Sequence, residues 1–307
     1  MITQGKYEII YAAVHRKNSL LSISKLCEIA GVSRSGYYAW EKAAPTRERR
    51  ENADKKDFDL IVEAYKFRGY AKGARSIHMR LLHTGVRMNL KKIRRLMDKY
   101  GLKCPYIGPN PYRRMAKALK TNTVFPNKVN REFLKGGVRK VLLTDITYIF
   151  YDKGVCYLSV ILDAFTREIL AYELSQNLMV DFVLRTVDDL IDEHGSTLDD
   201  TTIVHSDQGC HYTSKAFIRK LKDNNFVQSM SRRGNCWDNA PQESFFGHMK
   251  DEIKYEIAMM KTFEEVKAKI DDWIDYYNND RYQWELSKLS PKEFYRYMTT
   301  GIYPIAV

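Results

Sequence analysis

Residues 141–149 read Val-Leu-Leu-Thr-Asp-Ile-Thr-Tyr-Ile, a stretch of apolar and β-branched residues that contains a single carboxylate, Asp145. Such residues favour the half-buried, pleated surface of a sheet, so the wider segment 138–151 predicts a strand. A carboxylate inside a buried strand is costly unless it is paired or bound to a metal. An exposed face would also accommodate it, because alternation places Leu143, Asp145 and Thr147 on the same side.

The segments after this strand alternate between strand and helix periodicity. An Asp152-Lys153-Gly154 turn predicts a hairpin, and further short apolar runs are separated by amphipathic stretches. The predicted elements are strands at 138–151, 154–164, 168–174, 201–205 and 226–230, and helices at 180–194, 214–224, 239–253 and 263–278. This order is that of the ribonuclease H-like fold. The predicted fold is therefore α/β, a mixed five-stranded sheet with flanking helices, preceded by small all-α helix-turn-helix units.

A second carboxylate, Asp207, directly follows the predicted strand Thr-Ile-Val-His and precedes Gly209. Binding sites in open α/β sheets form just beyond the ends of strands, which favours a functional position. A strand-ending Asx turn explains the same residue equally well when it is considered alone.

A third carboxylate, Glu243, follows Asp207 after an interval of 35 residues and lies in the first turn of a predicted helix. Asn239 is the expected N-cap, Pro241 suits the first turn, and Gln242 is placed to close a capping box. A glutamate in a first turn can also serve only as a partner of the helix dipole. Lys250 lies two turns further along the same face, where it is expected to contact a DNA phosphate or, alternatively, to belong to a solvated Glu–Lys face.

Asp145, Asp207 and Glu243 together have a chemistry that none of them shows alone. Hard divalent cations prefer oxygen ligands, and shared carboxylates supply them. Two such ions about 4 Å apart can hold both the attacking and the leaving oxygen of a phosphodiester. The pattern of strand, loop and helix carboxylates therefore predicts catalytic and metal-binding roles for all three residues. The predicted enzyme is a DDE-type polynucleotidyl transferase that uses two Mg²⁺ ions, for which Mn²⁺ can substitute.

The loop before the third carboxylate, residues 232–237, is basic, aromatic and contains a glycine. Arg232 and Arg233 are expected to position a DNA end beside the metal site, whereas Trp237 is assigned to the core in preference to DNA. A zinc site is disfavoured, because no zinc motif has the spacings of His205, Cys210, His211 and Cys236.

The net charge of +12 is unevenly distributed along the chain. Residues 1–120 contain 27 lysines and arginines against 10 aspartates and glutamates, a net charge of +17, whereas residues 121–307 carry −5. A basic first part joined to a mildly acidic second part is typical of a module that binds a polyanion. The alternative is a solvated basic surface that binds nothing. This interpretation is disfavoured because the cations fall on helix-turn-helix patterns.

Two helical pairs carry this charge. Residues 22–41 predict a first helix-turn-helix, in which Gly31 allows the turn and Ser33 caps the second helix. The apolar face of its first helix is predicted to consist of Ile23, Leu26 and Ile29.

The second helical pair ends in a helix that begins after Asn89 and buries one apolar side. A cationic helix after a turn is how a recognition helix enters the major groove. The predicted DNA contacts on its other face are Lys91, Lys92, Arg94 and Arg95. An amphipathic helix with a merely solvated basic face is the alternative.

Prolines and glycines interrupt residues 103–136, where Arg113 and Arg114 help to keep the chain basic. This composition predicts a linker that follows a DNA backbone, with both arginines as contacts. The charged residues 45–58 are also predicted to begin a linker and then another helix. The predicted domains are 1–45 and 46–102 (helix-turn-helix units), 103–136 (basic linker), 137–255 (catalytic core) and 256–307 (C-terminal helical extension).

Cysteine usage and hydropathy bear on the cellular location. The five cysteines are odd in number and include no C-x-x-C pair, which disfavours a disulfide framework and fits a reducing cytosol. Charged residues interrupt the N-terminus and no run of 18 apolar residues occurs, so neither a signal peptide nor a membrane span is expected. A cytoplasmic location, associated with the bacterial nucleoid, is predicted.

Several motifs resemble those of the IS-three family of insertion-sequence transposases, in their OrfB-type product, which is related to retroviral integrases. The segment Ser-Arg-Arg-Gly-Asn-Cys-Trp-Asp-Asn-Ala at 231–240 is the most specific of them. The chain departs from the family at Leu142, where an aromatic residue is usual, and after Arg281, where a histidine is frequent. The resemblance covers nearly the whole chain and includes segments 32–40, 73–77, 93–97, 145–148, 205–209, 231–240, 243–246, 277–278 and 290–291.

The resemblance implies an enzyme that cleaves and joins DNA at the terminal inverted repeats of an insertion sequence and inserts it into target DNA. It also implies a homo-oligomer when DNA ends are paired. A partner from an upstream reading frame, fused or separate, is expected to supply a leucine zipper that this chain lacks. Two other interpretations stay open: a protein that only binds DNA through an inert core, and a structure-selective nuclease on the same fold.

Overall fold

The computed structural model describes residues 3–16, 21–104, 125–152, 154–232 and 236–305, with the backbone alone at 236 and 237. Its strands are β1 (Val141–Tyr151), β2 (Gly154–Asp163), β3 (Ile169–Ser175), β4 (Ile203–Ser206) and β5 (Val227–Met230). The helices before the sheet are α1 (Thr3–Val14), α2 (Ile23–Ala30), α3 (Arg34–Lys42), α4 (Ala44–Lys66), α5 (Ala74–His83) and α6 (Leu90–Lys99). The later helices are α7 (Val180–His194), α8 (Lys215–Asp223), α9 (Ala240–Ala258), α10 (Phe263–Asn279) and α11 (Pro291–Thr300).

The five strands form one mixed sheet in the order β3-β2-β1-β4-β5. β1 and β2 form the predicted antiparallel hairpin, and β3 continues antiparallel to β2. β4 pairs in parallel with β1, and β5 pairs in parallel with β4. The predicted mixed five-stranded sheet of the ribonuclease H-like fold is therefore confirmed, with β1 as its central strand.

Alternating side chains of β1 enter two separate cores. Leu143 faces a core formed with α9 and α10, in which Phe245 and Trp273 are buried. Leu142 faces the opposite core with α7 and α8, where Phe182 is buried. Both faces of the sheet are covered, which explains why the first two strands are almost continuously apolar.

Helix α10 completes the first of these cores. Trp273 is fully buried, stacks on Tyr277 with ring centroids 5.3 Å apart, and packs against Phe245 of α9 at 5.6 Å. The predicted domain boundary between residues 255 and 256 falls inside α9, which continues to Ala258. An amphipathic helix has the same pattern whichever apolar surface it covers, so the sequence did not reveal that α10 packs on this sheet.

Helices α1, α2 and α3 share a small core of their own. Ile10, Cys27 and Tyr37 are buried in it. Ser33 caps α3 as predicted, because its hydroxyl accepts a hydrogen bond from the Gly36 amide at 3.1 Å.

The structure corrects the inner face predicted for α2. Ile29 is 67% exposed, whereas Cys27 is buried in its place. A helix of eight residues has little more than two turns, so its periodicity defines the buried side poorly. Gly31 ends α2 with φ 63°, the left-handed conformation that the predicted turn requires.

Helix α4 is continuous over 23 residues, which corrects the prediction that residues 45–58 begin a linker. Pro45 lies in its first turn, where proline is tolerated, and most of the charged residues that follow are good helix formers. Ile61 and Ala64 are buried against α5 and α6. The second half of α4 therefore belongs to the second helix-turn-helix unit.

This second unit packs against α10 and α11. Arg68 donates a hydrogen bond to Asp275 of α10 at 2.5 Å, and Tyr70 stacks on Tyr276 with ring centroids 4.4 Å apart. At the end of α5, His83 contacts a carboxylate of α11. Packing as well as chain connection therefore attaches α4, α5 and α6 to the sheet-containing part.

Among the described helices, none is both long enough and apolar enough to cross a membrane.

A buried ion cluster holds the start of β1 against the β2–β3 turn. Arg139 is 4% exposed and donates hydrogen bonds to Asp163 at 3.3 Å and to Glu168 at 2.7 Å. The ring of Tyr295 in α11 covers the guanidinium at 4.4 Å. Burial raises the pKa of Asp163, and Arg139 opposes this by favouring the ionised carboxylate. Loss of the cation would leave two carboxyl groups buried without a charge partner.

We expect Arg139→Ala to lower the free energy of unfolding by about 3–5 kcal/mol, the usual cost of removing one partner of a buried pair. Arginine and alanine both carry a Cβ atom, so the positive φ of 62° at position 139 strains the wild type and the variant equally. Urea unfolding followed by circular dichroism measures the change. Lys140→Ala, which removes the partly exposed pair with Asp199, is the matched control and should change stability little. A loss below about 1 kcal/mol for Arg139→Ala would contradict the role of the cluster.

Candidate active site

Register places the first two carboxylates side by side. The last parallel pair between β1 and β4 is Leu143 with His205, after which the strands separate. Asp145 and Asp207 each lie two residues beyond this pair, at the point where the strands part. Asp145 is half-buried on the sheet face that α9 covers, and its Oδ1 accepts a hydrogen bond from the Ile146 amide at 2.8 Å.

A tight turn orients the second carboxylate. Asp207 Oδ1 accepts a hydrogen bond from the Gly209 amide at 2.8 Å, which is the Asx turn weighed from the sequence. A Cβ atom at position 209 would lie 2.8 Å from that oxygen, so glycine permits the close approach. The Asx turn is therefore present, and it orients the carboxylate that the sequence predicts as a metal ligand.

Glu243 lies in the first turn of α9 and is half-buried. Asn239 is the N-cap of α9 as predicted, but its side chain makes no capping hydrogen bond. Gln242 is fully buried on the inner face of α9, so the predicted capping box is absent as well. Packing of this face against the sheet outweighs the local capping preference.

The charges of Asp207 and Glu243 both act on Asp145. Burial raises the pKa of Asp145 most, and Asp207 and Glu243 raise it further, to about 8. Asp207 is exposed by surface area, but protein atoms crowd its carboxylate closely enough to raise its pKa as well. Burial, together with the charges of Asp145 and Asp207, raises the pKa of Tyr212. The Tyr212 hydroxyl lies 3.5 Å from Thr144 Oγ1.

The chemistry of this donor set fits a divalent cation. Carboxylates are hard oxygen ligands, and a cation among them would relieve the repulsion that raises the pKa of Asp145. Within the described residues, no three acidic, histidine or cysteine side chains converge closely enough to enclose a metal ion as they stand. Repulsion between like charges favours this separation.

Lys250 contributes a positive charge beside the carboxylates. It lies two turns after Glu243 along α9. Lys250 is exposed by surface area, but neighbouring protein atoms displace enough water from its ammonium to lower its pKa, while the carboxylate of Asp145 acts in the opposite direction. Its charge and that of Asp145 therefore influence each other.

Arg232, which the sequence predicts as a DNA contact, is bound within the protein. Its Nε and Nη2 donate hydrogen bonds to the two carboxylate oxygens of Asp238, each at 2.8 Å. The sequence analysis missed Asp238, because an aspartate just before a helix resembles an ordinary turn residue. Outside the described part of the chain lie Arg113, Arg114, Arg233 and the side chain of Trp237.

His205 is a buried residue of the sheet. Its Nδ1 lies 2.9 Å from Ser229 Oγ and its Nε2 lies 3.1 Å from Ser231 Oγ. Burial lowers the pKa of His205 to about 4, so the ring is neutral at physiological pH. Serine hydroxyl groups therefore occupy both ring nitrogens.

The cationic face of α6 is partly occupied by internal ion pairs. Arg95 donates to both carboxylate oxygens of Asp54 in α4, at 2.7 and 2.8 Å. Lys99 also binds Asp54 at 2.8 Å, and Lys92 pairs with Asp57. Two of the four cations predicted to contact DNA from this helix therefore neutralise carboxylates of α4.

The other two, Lys91 and Arg94, are exposed and form no ion pair with the part of the chain that is described. The sequence could not separate these two groups of cations. The carboxylate partners of Lys92 and Arg95 lie more than 30 residues earlier, on α4, which was not predicted as one continuous helix.

Comparison with known proteins gives three family matches and several relatives. Residues 137–236 and 243–299 each match a family described as integrase core domain, and residues 51–109 match an HTH-like domain. A putative transposase InsK for insertion sequence element IS150 of Escherichia coli (strain K12) is 30% identical over 274 residues, 89% of this chain and 93% of the relative. Transposase InsF for insertion sequence IS3A of the same organism is 26% identical over 294 residues, 92% of this chain and 97% of the relative. The chain belongs to the IS-three family of insertion-sequence transposases.

The matched regions of this IS-three transposase coincide with parts of its structure. The HTH-like match covers most of α4 together with α5 and α6, and the first integrase-core match covers the sheet. The second integrase-core match begins at Glu243 and includes α10, in agreement with the packing of that helix on the sheet. Among solved structures, the catalytic core domain of BIV integrase is 16% identical with a TM-score of 0.42, covering 53% of this chain and 97% of that one.

In buffer that contains a chelator, we expect Asp145→Asn to stabilise the transposase more at pH 8 than at pH 5. The pKa of Asp145 is raised to about 8 in the folded protein, so the native state binds this proton more tightly than the unfolded chain does. Stability should therefore fall as pH rises from the ordinary aspartate pKa of about 4 towards 8. The asparagine variant carries no such charge and should lose less stability over that interval. Calorimetric melting temperatures between pH 5 and 8 measure the difference.

Asp200→Asn, at an exposed position, is the control for this experiment and should follow the wild type. If the curves of Asp145→Asn and the wild type ran parallel across the whole interval, the clustering of the carboxylates would be refuted.

Proposed function

We propose that this transposase cleaves DNA at the ends of an insertion sequence and joins them to target DNA by two-metal phosphodiester chemistry at Asp145, Asp207 and Glu243. The observation that carries the proposal is the position of Asp145 and Asp207 two residues beyond the last pair between β1 and β4, where Asp207 and Glu243 both raise the pKa of Asp145. Like charges assembled at one strand end destabilise a fold, so a functional reason is needed to explain them.

In this proposal the three carboxylates hold two Mg²⁺ ions, or Mn²⁺ in their place. When bound, such ions stabilise developing negative charge and provide a nucleophile at neutral pH. The protein holds the ligands in place: β1 carries Asp145, the Gly209 amide orients Asp207, and the first turn of α9 carries Glu243. Ligation needs ionised carboxylates, so metal affinity should rise with pH.

Lys250 is proposed to bind a DNA phosphate next to the reacting bond. Its ammonium is close enough to Asp145 for the two charges to influence each other. Burial disfavours the charged ammonium, and a phosphate placed beside it would compensate for the lost hydration.

DNA recognition is assigned to the basic first part of the chain. Lys91 and Arg94 are the proposed contacts on α6, because they are exposed and make no ion pair within the described residues. Lys92 and Arg95 would have to exchange a carboxylate of α4 for a phosphate in order to take part. The sequence predicts three further contacts at Arg113, Arg114 and Arg233.

Joining requires two DNA ends to be held in one assembly. We therefore propose that the transposase acts as a homo-oligomer when the ends are paired, in the cytoplasm at the bacterial nucleoid. The product of an upstream reading frame, fused or separate, is the proposed partner, because this chain shows no leucine zipper of its own.

Asp145→Asn, Asp207→Asn and Glu243→Gln should each reduce cleavage and strand transfer below detection. Each should leave DNA binding nearly unchanged, since the carboxylates lie in the sheet-containing part and α6 lies in a separate helical unit. Labelled end DNA incubated with Mg²⁺ or Mn²⁺ reveals exposed 3′-hydroxyls and joined products on a gel, and fluorescence anisotropy measures binding. Joining at the wild-type rate by any one of these variants would refute the assignment.

The same assay separates the alternatives. A wild-type protein that binds ends but exposes no 3′-hydroxyl, with or without the upstream product, would favour an inert binding protein. Cleavage of arbitrary branched DNA without preference for inverted-repeat ends would favour a structure-selective nuclease.

Arg94→Ala should weaken binding to element ends by on the order of 10-fold, because loss of a base contact costs roughly 1–3 kcal/mol. If Arg94 contacts a phosphate instead, binding to all DNA should weaken and the salt slope should flatten by about one unit. Salt-dependent anisotropy with end DNA and random DNA distinguishes the two cases.

Arg95→Ala is the matched control, since it removes the same side chain from the next position of α6. Arg95 is engaged by Asp54, so its loss should lower the thermal stability of the helical unit and affect DNA affinity less than Arg94→Ala does. The reverse order of the two DNA affinities would contradict the proposed orientation of α6.

A further inference from the structure

Asp238 is a fully buried carboxylate that does not belong to the proposed metal ligands. Its oxygens accept hydrogen bonds from the Arg232 amide at 3.0 Å, from Arg232 Nε and Nη2 at 2.8 Å each, from Arg131 Nε at 3.0 Å and from Asn127 Nδ2 at 3.0 Å. Hydrogen bonding by Arg232 holds the pKa of Asp238 well below its ordinary value, so the group is ionised. An ionised carboxylate with this many donors is a strong local anchor.

The anchor joins three segments that are distant in sequence. Asn127 and Arg131 lie in the segment that leads into β1, and Arg232 lies just after β5. Asp238 itself lies in a 3-10 turn, Cys236–Asn239, directly before α9. Residues of the sheet edge and of the segment before β1 therefore determine where that turn is held.

Helix α9 begins without a side-chain cap. Asn239 makes no capping hydrogen bond, and Gln242 points into the core. A negative charge just before a helix also interacts favourably with its exposed amide groups. Glu243 lies five residues after Asp238, in the first turn of this helix.

We propose that Asp238 is a positioning residue that sets the location of Glu243, by tying the turn before α9 to Arg131 and Arg232. This inference rests on the proposed function of Glu243 as a metal ligand. Glu243 lies only five residues, most of them helical, after Asp238, so a shift of the turn also shifts Glu243. A functional group must be held within about 0.5 Å of its productive geometry, so even a small shift matters.

The charge of Asp238, and not only its shape, is required by this arrangement. A carboxylate can accept a bidentate pair from a guanidinium while it receives further donors. An asparagine at this position would place an amide N–H₂ group against the donors of Arg131 or Arg232. Asp238→Asn should therefore release the turn while changing side-chain volume very little.

Hydrogen exchange of the full-length protein without metal tests the positioning role directly. Asp238→Asn and Arg232→Ala should each accelerate exchange of amides 239–246 by about 10-fold or more, and Arg131→Ala should have a smaller effect in the same region, because local opening is governed by local contacts. Exchange in β1 and β2 should stay at the wild-type rate. Arg232→Ala and Arg131→Ala keep Asp238, so the test does not depend on the folding of a single variant.

Titration with Mn²⁺, followed by electron paramagnetic resonance, tests the consequence for the metal ligand. Asp238→Asn should weaken Mn²⁺ binding by about 10-fold or more, the usual effect of losing a group that orients a ligand. Asp54→Asn is the matched control, because Asp54 also binds two cations, Arg95 and Lys99, but lies in α4. It should leave Mn²⁺ affinity unchanged.

Two results would overturn the inference. One is wild-type exchange of amides 239–246 in both Asp238→Asn and Arg232→Ala, and the other is faster exchange spread evenly over the whole core. The exchange measurement needs no metal, so it decides the role of Asp238 even if Glu243→Gln binds Mn²⁺ normally and the proposed function fails.

Discussion

Asp145, Asp207 and Glu243 repel one another, and a chain can keep them together only if each is held by backbone that resists displacement. The central position of β1 and its parallel pairing with β4 meet this requirement for the two aspartates. The repulsion is not removed by the fold, as the raised pKa of Asp145 indicates. The site is therefore a locally unfavourable arrangement that the surrounding packing sustains.

That packing comes from parts of the chain that are far from the site in sequence. The aromatic side chains of α10, with Trp273 fully buried, press α9 onto the sheet. The ion cluster around Arg139 fastens the beginning of β1, and the donors around Asp238 fasten the turn before α9. Each of these contacts restrains an element that carries one of the three carboxylates.

The basic N-terminal part follows a different principle. Its positive charge is partly neutralised within the protein, since carboxylates of α4 bind Lys92, Arg95 and Lys99 of α6. The helical unit is also packed on α10, through Tyr70 and Arg68. The orientation of α6 relative to the three carboxylates is therefore set by direct packing. The number of cations without an internal partner is smaller than the composition suggests.

The sequence by itself determined the order of the strands and helices from β1 to α10 and the family, because these depend on local periodicity and on short motifs. It also predicted the three carboxylates as one site. Helix α7 and the start of α10 agree with the predicted segments, and Ser33 caps its helix as expected. Only the tertiary structure decided which polar side chains are available. Gln242 is buried instead of capping α9. Arg95 and Arg232 are paired with carboxylates although both are exposed, and Asp238 binds two arginines from its place in the turn before α9. Local preferences for caps and charged faces are worth about 1 kcal/mol, so long-range packing and ion pairing override them. The residues that make these long-range contacts are distant in sequence, and no local pattern connects them.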